Sequence, residues 1–407
     1  MDKVILHCDL NNFYASVEEI LHPELRGHPF AVCGDPKRRH GIVLAKNQLA
    51  KKMNVKTGDT LWEAKAKCPG MLFVAPTFET YVKYSNIVFS IYTEFTDRVE
   101  SFGMDECWLD VTSSNQLFGS GEEIADKIRQ TVKDRTGLTI SVGVSFTKVL
   151  AKLGSDMKKP DATTVLSRNC FREKCYHLPV SDIIMVGRRT AARLDMLRIN
   201  TIGDLANANV KMLENNFGIV GKHLWNSANG IETEEVQQYQ YKRVPKSISN
   251  GTTPPRDMKN ESDARVVIYA LSEMVAMRLR KHNMVANGVS LGIRYTTLNS
   301  ISRQTTILAT SNAEDIAKVA ITLLNSMHSF DEPLRSLTVG TFKLEDNSLR
   351  QGSFFDNVDE RKENLDKSID KIRQKYGYHS IKRGITMQTD LLKTDLHEED
   401  EFQPFKR

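Results

Sequence analysis

The sequence predicts a multidomain α/β (α+β) protein that contains a ferredoxin-like unit, and three observations support this prediction. The chain has 407 residues, of which 40% are hydrophobic and 26% charged, which is more than one compact core holds and favours two to four domains. The patterns in residues 4–144 predict strand, helix, two strands, helix and strand, the element order of a ferredoxin-like unit. The same topology is expected to recur in residues 246–345.

The first predicted strand is a short apolar run, residues 4–8, of the kind that forms a buried strand. It continues through Asp9 to Asn11 and Asn12, which we expect to cap a helix because asparagine side chains accept hydrogen bonds from free helix amides. Apolar residues at helical spacing follow from Phe13 onward. Asp9 is therefore expected at the exit of a strand, beside the start of a helix.

The rest of the first unit is predicted from alternating and helical spacings. Its elements are a hairpin with arms at 99–102 and 108–111 and a turn at 103–106, a helix at 122–133 and a strand at 138–144. Residues 11–75 are then an insertion after the first strand.

Four further segments complete the chain. Residues 167–233 contain short helices with glycine-bearing turns, similar to helix-hairpin-helix elements, whose turn amides can hold a phosphate group. Residues 234–245 are polar and predict a tether, and residues 246–345 predict the second α/β unit. Residues 346–407 form a polar tail with one predicted helix at 358–376.

The charge pattern favours a polyanionic partner. The net charge is +5, and basic pairs such as Lys51-Lys52 and Arg188-Arg189 are spread over the whole chain. No apolar run reaches the roughly 20 residues of a membrane span, which predicts no membrane partner. The start of the chain lacks the layout of a secretory signal, so we expect a cytoplasmic protein.

The strongest chemical constellation is Asp9 with the adjacent Asp105 and Glu106. A carboxylate at a strand end and a carboxylate pair in a neighbouring hairpin turn can gather two divalent cations about 3.5–4 Å apart, as nucleotidyl transfer requires. Magnesium prefers such hard oxygen ligands. An Asp-Glu pair in a turn is otherwise most often a solvated surface pair, so the flanking residues decide between the two interpretations.

Three blocks of sequence flank these carboxylates. Residues 7–18 are HCDLNNFYASVE, residues 103–111 are GMDECWLDV, and residues 139–160 run from TISVGVS to SDMKKP. In this order and spacing they resemble the Y family of DNA polymerases, of the bacterial DNA polymerase IV type, from residue 1 to about 345. The resemblance implies a right-hand polymerase fold with a palm (1–10 and 76–166), small fingers (11–75), a helical thumb (167–233), a tether (234–245), an α/β little finger (246–345) and a tail (346–407).

The activity that the resemblance implies is template-directed, magnesium-dependent and low-fidelity DNA synthesis, in translesion synthesis and DNA repair. The substrates would be primer-template DNA and deoxynucleoside triphosphates, and no proofreading is implied. We expect a monomer. Two alternatives stay open: a metal-dependent nuclease that uses the same carboxylates, and a non-catalytic DNA-binding accessory recruited by the sliding clamp.

The resemblance also assigns roles to the metal ligands and to the helix after residue 147. The three carboxylates are expected to be catalytic and to bind two Mg²⁺ ions, with the backbone carbonyl of Leu10 as a further ligand. Lys148 and Lys152 fit a helix near the primer-template, although an exposed helical face explains them equally well.

Four residues are expected to bind the incoming nucleotide. Tyr14 matches the aromatic residue that lies under the sugar and excludes a 2′-hydroxyl, with Phe13 beside it. Ordinary helix core is the competing interpretation of Tyr14. Lys159 matches the lysine that contacts the triphosphate as a point charge, and Lys51 takes the position of an arginine in the fingers.

The chain departs from the family pattern outside the metal ligands. The usual Tyr-x-x-Arg pair of the fingers is Gln48 and Lys51, and lysine keeps the charge but not the bidentate fork of arginine, which predicts a weaker hold on the nucleotide. The serine that usually precedes the paired carboxylates is Gly103, followed by Met104. The first glycine of the usual Gly-x-Gly turn of the thumb is Met185, which predicts a weaker phosphate site there.

A short motif lies outside the catalytic body. Gln351, Phe354 and Phe355 belong to the segment QGSFF, which resembles the Gln-x-x-hydrophobic-aromatic peptide that binds the bacterial sliding clamp. An exposed peptide with two adjacent phenylalanines can fill an apolar groove. Its position and the family resemblance favour clamp binding over a local packing turn.

Overall fold

The computed structural model describes residues 3–34, 41–232, 234–239, 241, 244–349, 360–387 and 389–392. The chain divides into two compact units, one ending at residue 241 and the other beginning at residue 242. The predicted clamp motif, residues 351–355, lies outside the described residues.

The strands of the described residues are, in chain order, β1 Ile5–Leu10, β2 Phe30–Cys33, β3 Val43–Lys46, β4 Leu72–Val74, β5 Val99–Ser101, β6 Glu106–Asp110, β7 Ile140–Ser145, β8 Thr163–Leu166, β9 Ser247–Thr252, β10 Met284–Tyr295, β11 Ser300–Thr310 and β12 Leu334–Asp346. The α-helices are α1 Phe13–Leu21, α2 Gln48–Lys52, α3 Leu61–Lys67, α4 Phe78–Thr93, α5 Asn115–Phe118, α6 Gly121–Thr136, α7 Lys148–Met157, α8 Phe171–Cys175, α9 Arg188–Met196, α10 Ile202–Asn207, α11 Val210–Phe217, α12 Ile219–Ala228, α13 Glu261–Lys281, α14 Ala313–Met327 and α15 Glu360–Tyr376. None of these helices has the length and apolar character needed to span a bilayer.

The ferredoxin-like topology predicted for the first unit is confirmed. Its five-stranded sheet has the order β5-β6-β1-β7-β8, and β1 pairs antiparallel with both β6 and β7. α4 and α6 share a core with the sheet that includes Tyr81, Ile124 and Ile128. α6 begins with a capping box between Ser120 and Glu123 and ends before a left-handed glycine, which fixes its bounds. β1 is therefore a central, fully buried strand.

The insertion after β1 forms a small subdomain with its own sheet. The strand order is β3-β2-β4, with β2 antiparallel to β3 and parallel to β4. Its core contains the small side chains of Ala50 and Ala64 from α2 and α3 together with Val43. Asn47 caps α2 by accepting a hydrogen bond from the backbone N–H of Ala50.

Residues 171–228 hold the short helices α8 to α12 around a core that includes Leu194, Leu205 and Leu213. Met185, in the turn before α9, has a φ of 75°. This left-handed region favours glycine and costs another residue roughly 1–2 kcal/mol. Met185 therefore adopts a backbone conformation that favours glycine, the residue that the family pattern has at this position.

The segment predicted as a tether is packed against the five-stranded sheet at its start. Val236 is buried in a cluster with Ile5 and Trp108. The backbone N–H of Gln237 donates to Glu100 Oε2 at 3.0 Å. One apolar residue, Val236, therefore attaches this otherwise polar segment to the sheet.

The second unit has the predicted order of elements, but the expectation that it repeats the topology of the first sheet is wrong. Its four strands have the order β11-β10-β12-β9, and all neighbours are antiparallel. The first strand, β9, lies at an edge, whereas β1 is central in its own sheet. The order of elements along the chain does not decide between these arrangements, because a helical connection can return the chain to different positions in a sheet.

The last described residues, 360–387 and 389–392, are held to the rest of the second unit by ion pairs, whereas the sequence predicts only a polar tail with one helix. Arg280 of α13 lies 3.1 Å from Asp366 of α15. Glu273, also on α13, lies 3.1 Å from Arg373 and 2.7 Å from Arg383. Because these buried contacts are between charged groups, the apolar periodicity of the sequence does not reveal them.

Candidate active site

The pairing of β1 with β6 brings the predicted carboxylates together. Asp9 lies directly opposite Glu106 in this antiparallel pair, and the backbone N–H of Leu10 donates to the carbonyl of Asp105 at 2.9 Å. Asp9 is inside the strand rather than at its exit, because β1 extends to Leu10. Glu106 is the first residue of β6, directly after the hairpin turn.

The prediction that Asn11 and Asn12 cap α1 is wrong. Asn12 precedes the helix in a left-handed conformation, and its side chain makes no capping hydrogen bond. Asn11 donates instead from Nδ2 to Ser141 Oγ at 2.9 Å, and its Oδ1 accepts from the backbone N–H of Asp161 at 2.9 Å. Asn11 thereby ties the end of β1 to the segment that carries Lys159.

α7 packs close to the sheet because β7 has a glycine at position 143. A Cβ atom at Gly143 would lie 1.9 Å from the carbonyl oxygen of Ala151, so any other residue would push the helix away. The indole N–H of Trp108 donates to the carbonyl of Lys148 at 2.9 Å, which fixes the first turn of the helix. This position places the side chain of Lys152 beside the carboxylates.

Two lysines contact the carboxylates from α7 and from the segment after it. Lys152 Nζ lies 2.7 Å from Glu106 Oε2, and Lys159 Nζ lies 2.6 Å from Asp9 Oδ2. Lys159 also lies 2.8 Å from Asp156 Oδ1. We call Asp9, Asp105, Glu106, Lys152 and Lys159 the carboxylate–lysine cluster.

The pKa values of both aspartates in the cluster are raised above the ordinary value of an aspartate. Burial, together with the charge of Glu106, raises the pKa of Asp9 to about 7 although an adjacent lysine opposes the shift. Burial and Glu106 also raise the pKa of Asp105 to about 6. Burial acts upward on Glu106 as well, but His7 and Lys152 outweigh it and lower the pKa of that carboxyl to about 2.

The donor set fits a hard divalent cation. Three carboxylates and the carbonyl groups at the end of β1 supply oxygen atoms, which magnesium and similar ions prefer. The raised pKa values of Asp9 and Asp105 indicate that the surrounding side chains leave their negative charge incompletely compensated. Within the described residues no group of three or more His, Cys, Asp or Glu side chains is already arranged to hold a metal ion, and lysines contact Asp9 and Glu106. Cation binding therefore requires Lys152 and Lys159 to release Glu106 and Asp9, so that the carboxylate oxygens can bind the cation instead.

His7 belongs to the same site and was not predicted from the sequence. It is fully buried, and its Nε2 lies 3.5 Å from Glu106 Oε2. Its Nδ1 lies 2.8 Å from Ser155 Oγ on α7, and burial lowers its pKa. The alternation of side chains along a strand places His7 and Asp9 on one face of β1, and this is the sequence signal that identifies it.

Of the two interpretations offered for Lys148, the exposed helical face is wrong, and a helix near the primer-template stays a prediction. Lys148 is buried, and its Nζ lies 2.8 Å from Glu100 Oε2 and 4.8 Å from the centre of the Trp108 ring. Its charge is neutralised within the protein. The side chain of Lys152 is 16% exposed and contacts Glu106, so it too is not part of an exposed face.

Tyr14 is packed by aromatic rings and remains partly exposed. Its ring stacks on Tyr81 with a centroid distance of 4.4 Å and an interplanar angle of 11°. Its hydroxyl donates to Met104 Sδ at 3.4 Å, and burial, with the charge of Asp105, raises its pKa to about 12. The ring therefore stands beside the carboxylate–lysine cluster.

The remaining predicted nucleotide contacts lie in different places. Phe13 is a core residue, 3% exposed, with its ring centroid 5.5 Å from that of Tyr14. Lys51 is exposed on α2, in the inserted subdomain, and is not a member of the carboxylate–lysine cluster. Asp9, Asp105 and Lys159 thus belong to one cluster, whereas Lys51 belongs to the inserted subdomain.

Comparison with known proteins gives the family. Residues 8–156 match the impB/mucB/samB family, and residues 245–354 match the C-terminal domain of that family. DNA polymerase IV of Acetivibrio thermocellus is 48% identical over 95% of this chain and 98% of its own length. DNA polymerase IV of Pelotomaculum thermopropionicum is 38% identical over 94% of this chain and 95% of its own length.

A solved structure agrees with the sequence relatives. A Y-family DNA polymerase chimera matches with a TM-score of 0.74 and 25% identity, over 84% of this chain and 98% of the chimera. The match, over 84% of the chain, extends beyond the first unit and supports the α/β polymerase fold class that the sequence predicts. The chain therefore belongs to the impB/mucB/samB family of Y-family DNA polymerases, together with DNA polymerase IV.

Proposed function

We propose that this Y-family polymerase adds deoxynucleotides to a primer by two-metal nucleotidyl transfer at Asp9, Asp105 and Glu106. The chain is a metal-dependent, DNA-directed DNA polymerase of translesion synthesis and DNA repair, and it acts on primer-template DNA and deoxynucleotides. The observation that carries the site proposal is the strand pairing that sets Asp9 opposite Glu106, with Asp105 hydrogen-bonded to Leu10. Synthesis is of low fidelity and without proofreading.

Different residues of the site are proposed to bind the metal ions, to keep Glu106 ionised and to contact the triphosphate. The three carboxylates and the carbonyl of Leu10 would hold two Mg²⁺ ions, which when bound activate the primer 3′-hydroxyl and stabilise the departing pyrophosphate. Lys152 and His7 keep Glu106 ionised, as its lowered pKa indicates. We expect Lys159 to transfer its ammonium contact from Asp9 to a triphosphate oxygen, because both are anionic oxygen acceptors.

Two further contacts to the nucleotide are proposed. Tyr14, fixed beside the carboxylates, lies under the deoxyribose and leaves no room for a 2′-hydroxyl. Lys51 approaches the triphosphate from α2 as a single positive charge, since Gln48 and Lys51 replace a tyrosine and an arginine.

Primer extension tests the reaction and its metal together. The protein with a primed template, four deoxynucleotides and magnesium should give short extension products, and excess chelator should stop the reaction until magnesium is restored. Growth of the primer in excess chelator would contradict the metal proposal. Shortening of the labelled primer would identify a nuclease instead, and binding without extension would identify a non-catalytic accessory.

We also propose that Gln351, Phe354 and Phe355 bind the bacterial sliding clamp. The motif lies between β12, which ends at Asp346, and α15, which begins at Glu360. A peptide tethered on both sides loses less conformational entropy on binding than a free peptide does. Two adjacent phenylalanines supply the apolar area for a groove.

Deletion of residues 351–355 should abolish the stimulation of synthesis by a loaded clamp and leave clamp-free extension unchanged. Extension with and without clamp on the same primed circular template measures both. A variant with alanine at Gln351, Phe354 and Phe355 preserves the length of the segment and should behave in the same way. Full stimulation of either variant would exclude this motif as the clamp contact.

We further propose that the protein acts as a monomer, because one chain carries all three carboxylates. Sedimentation at the concentration of the extension assay tests this, and a dimer would contradict it. A cytoplasmic location follows from the DNA substrate of a bacterial type of polymerase. Cell fractionation followed by immunoblotting would test it.

A further inference from the structure

The residue behind Tyr14 is itself anchored by a buried carboxylate. Tyr81 of α4 is fully buried and stacks on Tyr14 with a centroid distance of 4.4 Å. Its hydroxyl donates a hydrogen bond to Glu18 Oε1. Glu18 lies one helical turn after Tyr14 on α1 and is also fully buried. A loop of contacts therefore runs from Tyr14 through Tyr81 and Glu18 back to the helix of Tyr14.

The start of α4 completes the anchor. Thr77, the residue before α4, donates from its hydroxyl to Glu18 Oε1 at 2.7 Å. The carboxylate thus accepts two hydroxyl hydrogen bonds from one end of α4. Burying a carboxylate is costly unless such bonds are made, so an apolar side chain would serve simple core packing better. Glu18 therefore serves to fix the relative position of α1 and α4.

Two further residues, Phe78 and Met104, also contact Tyr14. Phe78 stands edge-on to Tyr14 at 6.0 Å and to Tyr81 at 5.8 Å. The hydroxyl of Tyr14 donates to Met104 Sδ. Stacked and edge-to-face pairs both favour a defined ring orientation. The orientation of Tyr14 is thus set by α4 and by the hairpin turn, and not by its own helix alone.

We infer that Tyr81, held by Glu18, is a positioning residue through which Tyr14 distinguishes deoxyribose from ribose. This inference rests on the proposed role of Tyr14. The two sugars differ by a single oxygen atom, so a small tilt of the Tyr14 ring is enough to admit the 2′-hydroxyl. The ring of Tyr81 behind it blocks that tilt. Tyr81 is buried and acts only through Tyr14, so it should change sugar choice more than deoxynucleotide incorporation.

Single-nucleotide incorporation tests this inference. We expect Tyr81→Leu to lower the ratio of kcat/KM for the deoxynucleotide to that for the matching ribonucleotide by about three- to tenfold, the effect of losing one aromatic pair. Tyr81→Phe and Glu18→Gln keep the ring and should give smaller losses, because they weaken only the anchor. Phe89→Leu, in the core on the same helix, is the matched control and should leave the ratio unchanged.

A double variant separates positioning from general damage. In a Tyr14→Ala background the Tyr81→Leu change should have no further effect on the ratio, because the residue through which Tyr81 acts is gone. An equal effect in both backgrounds would overturn the inference, as would an unchanged ratio in Tyr81→Leu and Glu18→Gln when Tyr14→Ala lowers it. An unchanged ratio in Tyr14→Ala itself would overturn the proposed role of Tyr14 as well. Thermal unfolding checks each variant, and Glu18→Gln decides the matter if Tyr81→Leu does not fold.

Discussion

Replacing Asp105 or Glu106 with alanine is expected to reduce primer extension by at least about a thousandfold while primer-template affinity stays within about twofold of wild type. A thousandfold loss corresponds to about 4 kcal/mol of transition-state stabilisation, a size that removal of a metal ligand can produce. DNA affinity should persist because it rests on basic residues distributed over the whole chain. Gel-resolved extension and fluorescence anisotropy with the same labelled primer measure the two quantities.

Asp134→Ala provides the matched control for these variants. Asp134 is an exposed carboxylate on α6, outside the carboxylate–lysine cluster, and its removal should leave both quantities unchanged. Extension at the wild-type rate by either Asp105→Ala or Glu106→Ala would refute the assignment of the metal site. Loss of DNA binding together with extension would instead indicate a folding defect.

Tyr14→Ala is expected to raise ribonucleotide incorporation by about tenfold or more with much less effect on deoxynucleotides. The missing ring leaves a space next to the carboxylate–lysine cluster, and a cavity of that size cannot reject one additional hydroxyl. The measured quantity is kcat/KM for a single ribonucleotide and for its deoxy counterpart opposite one template base.

Tyr14→Phe separates the ring from its hydroxyl. This variant keeps the stack on Tyr81 and loses the hydrogen bond to Met104 Sδ, so it should retain most of the discrimination. If Tyr14→Ala discriminates as well as wild type, Tyr14 is a helix-core residue and not the determinant of sugar choice.

Much of the first unit was predictable because its signals are local. A short apolar run, a hairpin with a turn at 103–106 and a helical pattern at 122–133 predict β1, the β5–β6 hairpin and α6, and the structure confirms them. The carboxylates followed from their flanking motifs. The sheet order of the second unit was not predictable, because the sequence of elements leaves open which strand occupies the edge.

The residues around the carboxylates were harder to predict. Lys152 contacts Glu106 only because α7 packs closely on β7, and that distance depends on the absence of a side chain at Gly143. Lys148, one turn earlier on the same helix, is buried against Trp108. The sequence predicts the helix but not which face meets the sheet, so it does not show that both lysines, which share one helical face, lie against the sheet.

Ion pairs between α13 and residues 366–383 attach the last described part of the chain to the sheet and helices of the second unit. A chain cut after residue 349 would lose the clamp motif and, with it, the partners of Glu273 and Arg280. Removing one member of a buried ion pair costs about 3–5 kcal/mol, a large share of the stability of a domain. Truncation would therefore destabilise the second unit and also remove the proposed clamp contact, so a single loss of activity would have two causes. Internal excision of residues 351–355, or alanine at Gln351, Phe354 and Phe355, changes the motif and keeps these ion pairs.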